Sequence, residues 1–231
     1  DFTYHFNVGL WHLHLPMQDQ SVIIGPSPPL SDVLPALSYL LFFEKLHLLP
    51  WDAAYNLYSV IIGSAAIGIL YLFVCQLYNR PVAFISSLIL AFLPRYFGHL
   101  HNNMKDIPQS VFFMLSLFLF WRLSKIPNFK NLLLASIAFA VSYNSKVNAV
   151  FILVVAASFL LTQMLIFKQK MGNKIIVLYF ILAPFTALLI WWPFWTDPVG
   201  RLLEAKYSYT TSTTNMPVLY FGQVYYSGIN I

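Results

Sequence analysis

Long apolar runs separated by short polar clusters set the pattern of this chain. Ala53–Tyr78, Val82–Phe97, Ile107–Trp121, Leu132–Tyr143, Ala149–Phe167 and Ile175–Trp195 carry almost no charge. Each approaches the ~20 residues an α-helix needs to cross a bilayer, and the shorter ones can borrow interfacial residues at their ends. The pattern predicts an all-α, polytopic transmembrane helix bundle of about six spans. Leu30–Leu49 is different: it carries Asp32, Glu44 and Lys45, so it reads as an amphipathic helix lying in the membrane interface. The expected organisation is one transmembrane domain over residues 1–231. Within it, 1–52 form a first external loop with the interfacial helix, 53–195 the six spans, and 196–231 the start of a later external segment. Both ends are expected to continue in a longer chain, because Asp1-Phe2-Thr3 lacks the basic start of a signal peptide and Gly228-Ile229-Asn230-Ile231 stops without a terminating tail.

Composition strengthens the membrane reading. Hydrophobic residues make up 59% of the chain and mean hydropathy is +0.69, more than a water-soluble core of this length can absorb, so lipid must cover part of the surface. Aromatics at 18% fit interfacial anchoring and helix seams. Cys75 is the only cysteine and lies inside an apolar run, which excludes disulfides and zinc ribbons within the chain. The net charge of +5 does not point to nucleic acid, because the basic residues sit in short loops rather than on one face. Arg80, then Arg122, Lys125 and Lys130, then Lys168, Lys170 and Lys174 occupy alternate connections, which belong on the cytoplasmic side. No Asp or Glu falls in those loops. The other side receives the first 52 residues, the segment 95–106, the turn at Lys146 and everything after Trp195.

One polar knot stands out. Pro94-Arg95-Tyr96-Phe97-Gly98-His99-Leu100-His101-Asn102-Asn103-Met104-Lys105-Asp106-Ile107-Pro108 concentrates charge in a chain that has only 9% charged residues. A short loop needs few charges merely to turn, so the concentration points to a site at the membrane boundary. Asp1 and Asp106 both emerge on the non-cytoplasmic side, where a carboxylate can act as general base toward an attacking hydroxyl. The plainer role for Asp106 is to cap the helix that begins at Ile107-Pro108, and the two roles are compatible. Arg95, Lys105 and Lys146 are cations beside spans on the same side. They suit a lipid phosphate, whose anionic charge they would stabilise; the plainer role is snorkelling toward headgroups. His99-Leu100-His101 and His12-Leu13-His14 have the His-x-His spacing of some metal sites. With no cysteine in support and only Asp106 as a nearby further ligand, a hydrogen-bonding or interfacial role ranks ahead of a divalent metal, and no cofactor is called for.

These residues resemble a known family, the polytopic GT-C glycosyltransferases, and within it the branch of protein O-mannosyltransferases and bacterial aminoarabinose-transferase-like enzymes. The knot is similar to that branch's second-loop signature, with its acidic residue at Asp106. Ser145-Lys146-Val147-Asn148 resembles the family's lysine turn and Pro28-Pro29-Leu30 its first-loop proline motif. Trp192-Pro193…Asp197-Pro198 and Tyr220-Phe221-Gly222 resemble later segments in the same order. The resemblance implies inverting transfer of a sugar from a polyprenyl-phosphate-linked donor to a lipid, glycan or protein acceptor, on the outer face of a bacterial or archaeal cell membrane. It implies Asp1 as base, Asp106 in positioning donor or acceptor, and Arg95, Lys105 and Lys146 at the donor phosphate. His99, His101 and Asn102 would line the pocket. The family often has Asp-Glu where this chain has Asp1-Phe2. The rival readings are a transporter or flippase of polyprenyl lipids, which would place ionisable residues at mid-bilayer, and a non-catalytic subunit in which the knot is only a capped turn.

Overall fold

The computed structural model describes residues 2–21, 28–168, 174–201, 203, 217–220 and 223–226. One compact unit takes residues up to 23 and 28–192, and a second takes 24–27 and 193–231. The first unit is an all-α bundle: α1 (Phe2–His12), α2 (Leu30–Tyr39), α3 (Trp51–Leu77), α4 (Arg80–Phe92), α5 (Pro94–Leu100), α6 (Asp106–Lys125), α7 (Phe129–Ser145), α8 (Phe151–Leu165) and α9 (Lys174–Ile190). The second unit holds most of α10 (Trp192–Thr196) and an antiparallel hairpin, β1 (Pro217–Tyr220) with β2 (Gln223–Tyr226), in which Pro217 pairs with Tyr226 and Tyr220 with Gln223.

The apolar runs become helices, with local chemistry setting their limits. Asn79 caps α4 by accepting the Val82 N–H at 3.0 Å, and Asn128 caps α7 by accepting from Asn131 at 2.8 Å. The expected span Val82–Phe97 is broken: Leu93 is extended before Pro94, and α4 and α5 meet at a bend of 61°. The expected span Ala149–Phe167 starts with a 3₁₀ turn, Val147–Val150, before α8. The last expected span divides at Trp191 into α9 and α10. Among the described residues, α3, α6 and Val147–Leu165 are long and apolar enough to cross a membrane, and α4–α5 joins them if the bent pair is one span. The helices α7 and α9 have 17 residues each.

The core gathers around α7. Leu132, Ala135, Phe139 and Ala140 meet Phe120 and Leu123 of α6, Ile152 of α8, and Tyr179 and Ala183 of α9. Small residues let these backbones approach, as in membrane bundles generally. Polar ties cross the seam: Asn144 Nδ2 donates to the Ala187 carbonyl at 2.9 Å and Thr186 Oγ1 to that of Ser136 at 3.2 Å. Outward, the surface is apolar. Phe84 (61% exposed), Phe92 (76%) and Leu165 (75%) would be unfavourable in water and are natural against lipid.

The stretch 30–49 is helical as expected, α2 running into a π-helical turn at Leu40–Lys45, but its charges do not share a polar face. Glu44 and Lys45 are exposed, whereas Asp32 is fully buried.

Candidate active site

The knot is seated on α3. Gly63 leaves room for it: a Cβ there would lie 2.1 Å from Leu100 Cδ2 and 2.9 Å from Ile107 Cγ2. Tyr96 donates its hydroxyl to the Gly63 carbonyl at 2.7 Å. One turn and more toward the start of α3, Tyr58 donates to the Met104 carbonyl, and Ser59 to that of Asn103 at 3.3 Å. Tyr58 and Ser59 thus hold the knot backbone, and Gly63 holds the Tyr96 side chain, on either side of its turn.

Asn103, rather than Asp106, caps α6. Its Oδ1 accepts the Asp106 N–H at 2.9 Å while its Nδ2 donates to Asp106 Oδ2 at 3.1 Å. Asp106 is itself the first residue of the helix. The capping role expected for Asp106 is therefore filled three residues earlier, which leaves the Asp106 carboxylate for side-chain partners. Lys146 supplies one: its Nζ lies 2.6 Å from Asp106 Oδ1, with both side chains partly exposed. Lys146 sits at the extended break between α7 and the 3₁₀ turn, so the interruption that ends one helix aims the ammonium across at another.

Lys105 turns the other way. Its Nζ lies 3.6 Å from Asp32 Oδ1, and the Asp32 side chain is 0% exposed. His5 Nδ1 donates to the same carboxylate at 2.8 Å, and Ser31 Oγ donates to its second oxygen at 3.1 Å. Burial alone would raise the Asp32 carboxyl, but the His5 hydrogen bond, the Lys105 charge and the Ser31 hydroxyl outweigh it and hold the carboxyl below the usual aspartate range. Gly9 makes the cluster possible: a Cβ on it would come within 2.4 Å of the Asp32 carbonyl oxygen and 2.6 Å of Ala36 Cβ, so α1 and α2 cross at glycine.

Asp106, Lys146 and Gln109 border a cleft of about 520 Å³ between α6 and the start of α8. Its walls become apolar along α6 through Phe113, Met114 and Leu117, with Phe151 opposite. Leu117 also lines a second, apolar pocket of about 270 Å³ with Phe73, Trp121 and Phe159. Gln109 is buried, and its Nε2 has no partner among the described residues. A carboxylate, an ammonium and an amide at the head of an apolar groove suit a ligand with an anionic head and a hydrocarbon tail.

Of the remaining predicted residues, His99 is within electrostatic reach of Asp106, and the others lie apart from the pair. His99 is half-buried, its Nδ1 3.5 Å from Asn103 Nδ2. His101 is exposed, hydrogen-bonds the Phe97 carbonyl at 3.0 Å and lines a different cleft with Asp52 and Asn56. Asn102 and Arg95 are exposed, and Arg95 makes no ion pair among the described residues. His12, buried in the last turn of α1, and His14, exposed beyond it with φ 57°, are likewise separated by the helix end. Asp1 lies outside the described residues. Asp32 and Gln109 were missed by sequence reasoning. The signal for Asp32 was present, since it is the one charged residue between Asp19 and Glu44.

Residues 27–191 match the dolichyl-phosphate-mannose-protein mannosyltransferase family. The chain belongs to that family. No curated protein and no solved structure matches it. Membership makes this a membrane glycosyltransferase of the mannosyltransferase type, and the matched stretch takes in the knot, Lys146 and Asp32 but not α1.

Proposed function

We propose that this mannosyltransferase-family protein transfers a sugar from a polyprenyl-phosphate-linked donor to an acceptor hydroxyl or amine on a lipid, glycan or protein, with inversion, on the outer face of a bacterial or archaeal cell membrane. The observation that carries this reading is the cleft headed by Asp106 and Lys146. From Asp106 to Trp121 the α6 axis rises about 22 Å at ~1.5 Å per residue, enough to lay several isoprene units along Phe113, Leu117 and the pocket beyond. Polar groups concentrate at one end of the groove, as a phosphate with a long apolar tail requires.

In this mechanism Asp1 takes the proton from the acceptor as its oxygen or nitrogen attacks the anomeric carbon. The bond from that carbon to the phosphate oxygen breaks on the opposite face, and its electron pair leaves with the polyprenyl phosphate. Lys146 stabilises that departing anion, and Asp106 keeps the ammonium at the cleft mouth. Arg95 adds positive potential at the same surface, and Lys105 serves through its contact with buried Asp32 rather than at the phosphate. His99 and Asn102 border the approach of the acceptor, while His101 faces a different cleft.

The test uses full-length protein in liposomes with radiolabelled mannosyl-polyprenyl phosphate. Time-dependent release of polyprenyl phosphate with appearance of a mannosylated product is expected. Movement of the intact lipid between leaflets without loss of its sugar would replace transfer with flipping. Orientation is read by labelling Asn102→Cys and Lys125→Cys in a Cys75→Ser background: only the first should react from outside, and equal labelling would overturn the shared outer face.

A further inference from the structure

Asp32 is the only Asp, Glu, Lys or Arg whose side chain is buried among the described residues. Taking a carboxylate out of water costs several kcal/mol unless partners compensate, so the partners indicate what the burial is for. They come from separate elements: His5 from α1, Ser31 from α2 and Lys105 from the knot, with Tyr55 and Tyr58 of α3 within electrostatic reach. Two of these partners adjoin proposed functional residues. Lys105 immediately precedes Asp106. His5 stands four residues after Asp1 in the sequence, within α1. The hydrogen bonds from Tyr58 and Ser59 fix the knot backbone to α3, yet none of them touches α1. The Asp32 carboxylate does so directly.

We propose that Asp32 is a positioning residue of the transferase: its buried carboxylate clasps His5 and Lys105, and so fixes the helix that follows the acceptor-side base against the loop that carries the donor-side carboxylate. The proposal rests on the transfer reading above, because it gives Asp32 no contact with substrate. A clasp of this kind acts on the geometry of the reacting groups more than on donor affinity, since misplacement raises the barrier even when binding energy is kept.

The test uses the full-length protein in nanodiscs with radiolabelled mannosyl-polyprenyl phosphate, comparing wild type, Asp32→Asn, Lys105→Met and the double variant. Asp32→Asn should lower kcat about tenfold or more while leaving KM for the donor within about twofold. Asp32→Glu should recover part of that loss. The double variant should turn over no more slowly than Asp32→Asn, because both changes break the same contact and their effects do not add. A KM effect without a kcat effect, or additive losses, would overturn the clasp. Should Asp32→Asn fail to fold, Lys105→Met and His5→Gln decide alone: each must show the kcat loss at unchanged KM, and wild-type turnover in both overturns the proposal. Spin labels on Thr3→Cys and Gly98→Cys, the latter in open space, give a readout that needs no activity. Their distance distribution should broaden or shift in Asp32→Asn, and an unchanged distribution overturns the clasp whatever the turnover. A wild type that consumes no donor overturns the transfer reading and Asp32's part in catalysis with it, while the distance still decides whether the clasp exists.

Discussion

Two ion pairs leave neighbouring residues of the same turn and enter opposite environments. Lys105 reaches inward to an Asp32 side chain that is 0% exposed, at 3.6 Å; Asp106 reaches outward to Lys146 at 2.6 Å, with side chains 58% and 42% exposed. Distance alone would rank the second pair as the stronger. Burial reverses that ranking, because an exposed pair exchanges protein contacts for water and salt at little cost, whereas a buried carboxylate that loses a partner keeps its desolvation penalty. The inner pair is therefore suited to holding shape. The outer pair sits at a cleft, where a phosphate can compete for the ammonium and a carboxylate can face a ligand. A single dipeptide, Lys105-Asp106, thus joins a buried contact to one that borders a cleft.

The largest expected effect tests that division on stability. Lys105→Met, which leaves the buried Asp32 carboxylate without its ammonium, should destabilise the folded bundle by about 3–5 kcal/mol, as breaking a buried pair does, whereas Asp106→Ala should cost no more than about 1 kcal/mol. Denaturant unfolding of both variants in one detergent measures the difference, and equal losses would dissolve the comparison. On turnover the order reverses for Asp106. Asp106→Asn keeps the Asn103 cap, since the N–H that Asn103 accepts belongs to the backbone. It removes the charge opposite Lys146, and transfer from mannosyl-polyprenyl phosphate should fall by a factor of about 10². Full turnover in this variant would return Asp106 to a structural role. Lys146→Met should act on donor affinity, with a loss of about 1.5–3 kcal/mol, the range of hydrogen bonds to charged groups. Equilibrium binding of the radiolabelled donor reads it directly, and wild-type affinity would return Lys146 to headgroup snorkelling.

Much of the bundle was legible because hydrophobic runs report on burial or lipid without reference to partners. Ala53–Tyr78 corresponds closely to α3, and the polar knot becomes α5, the turn after it and the first residues of α6. What periodicity could not convey was direction at the ends of elements. The bend at Leu93-Pro94 follows from a proline whose effect depends on neighbouring packing, and Trp191 divides a run that reads as continuous. Within the site, the sequence placed Asp106 and Lys146 in play, 40 residues apart, and the fold brings them into contact. Asp32 was misread because a charge in an apolar helix looks like the polar stripe of an interfacial helix. Its burial depends on Gly9 admitting α1 and on Lys105 arriving from far along the chain, and neither is visible in a local window. The capping role was assigned to Asp106 because Asp before a first-turn proline is a familiar signal; Asn103, equally suited by chemistry, occupies that role in space.

The smallest effect near neutral pH is the titration of the clasp, and its sign is fixed by the direction of the Asp32 shift. Burial opposes ionisation, yet His5, Lys105 and Ser31 together hold the carboxyl below its ordinary value. The folded state therefore binds the Asp32 proton less readily than the unfolded chain does. Stability from this group is fully present above the unfolded value near pH 4 and is lost as pH falls through the lowered folded value. Asp32→Asn has no such carboxyl to protonate. The stability difference between wild type and Asp32→Asn should consequently shrink as pH is lowered below about 4. Asp106→Asn, measured beside it, controls for the outer pair, whose exposure keeps its own contribution small. A wild-type advantage that grows toward acid would mean that the Asp32 carboxyl is protonated in the folded protein at neutral pH, and the inner contact would then be a neutral hydrogen bond rather than an ion pair.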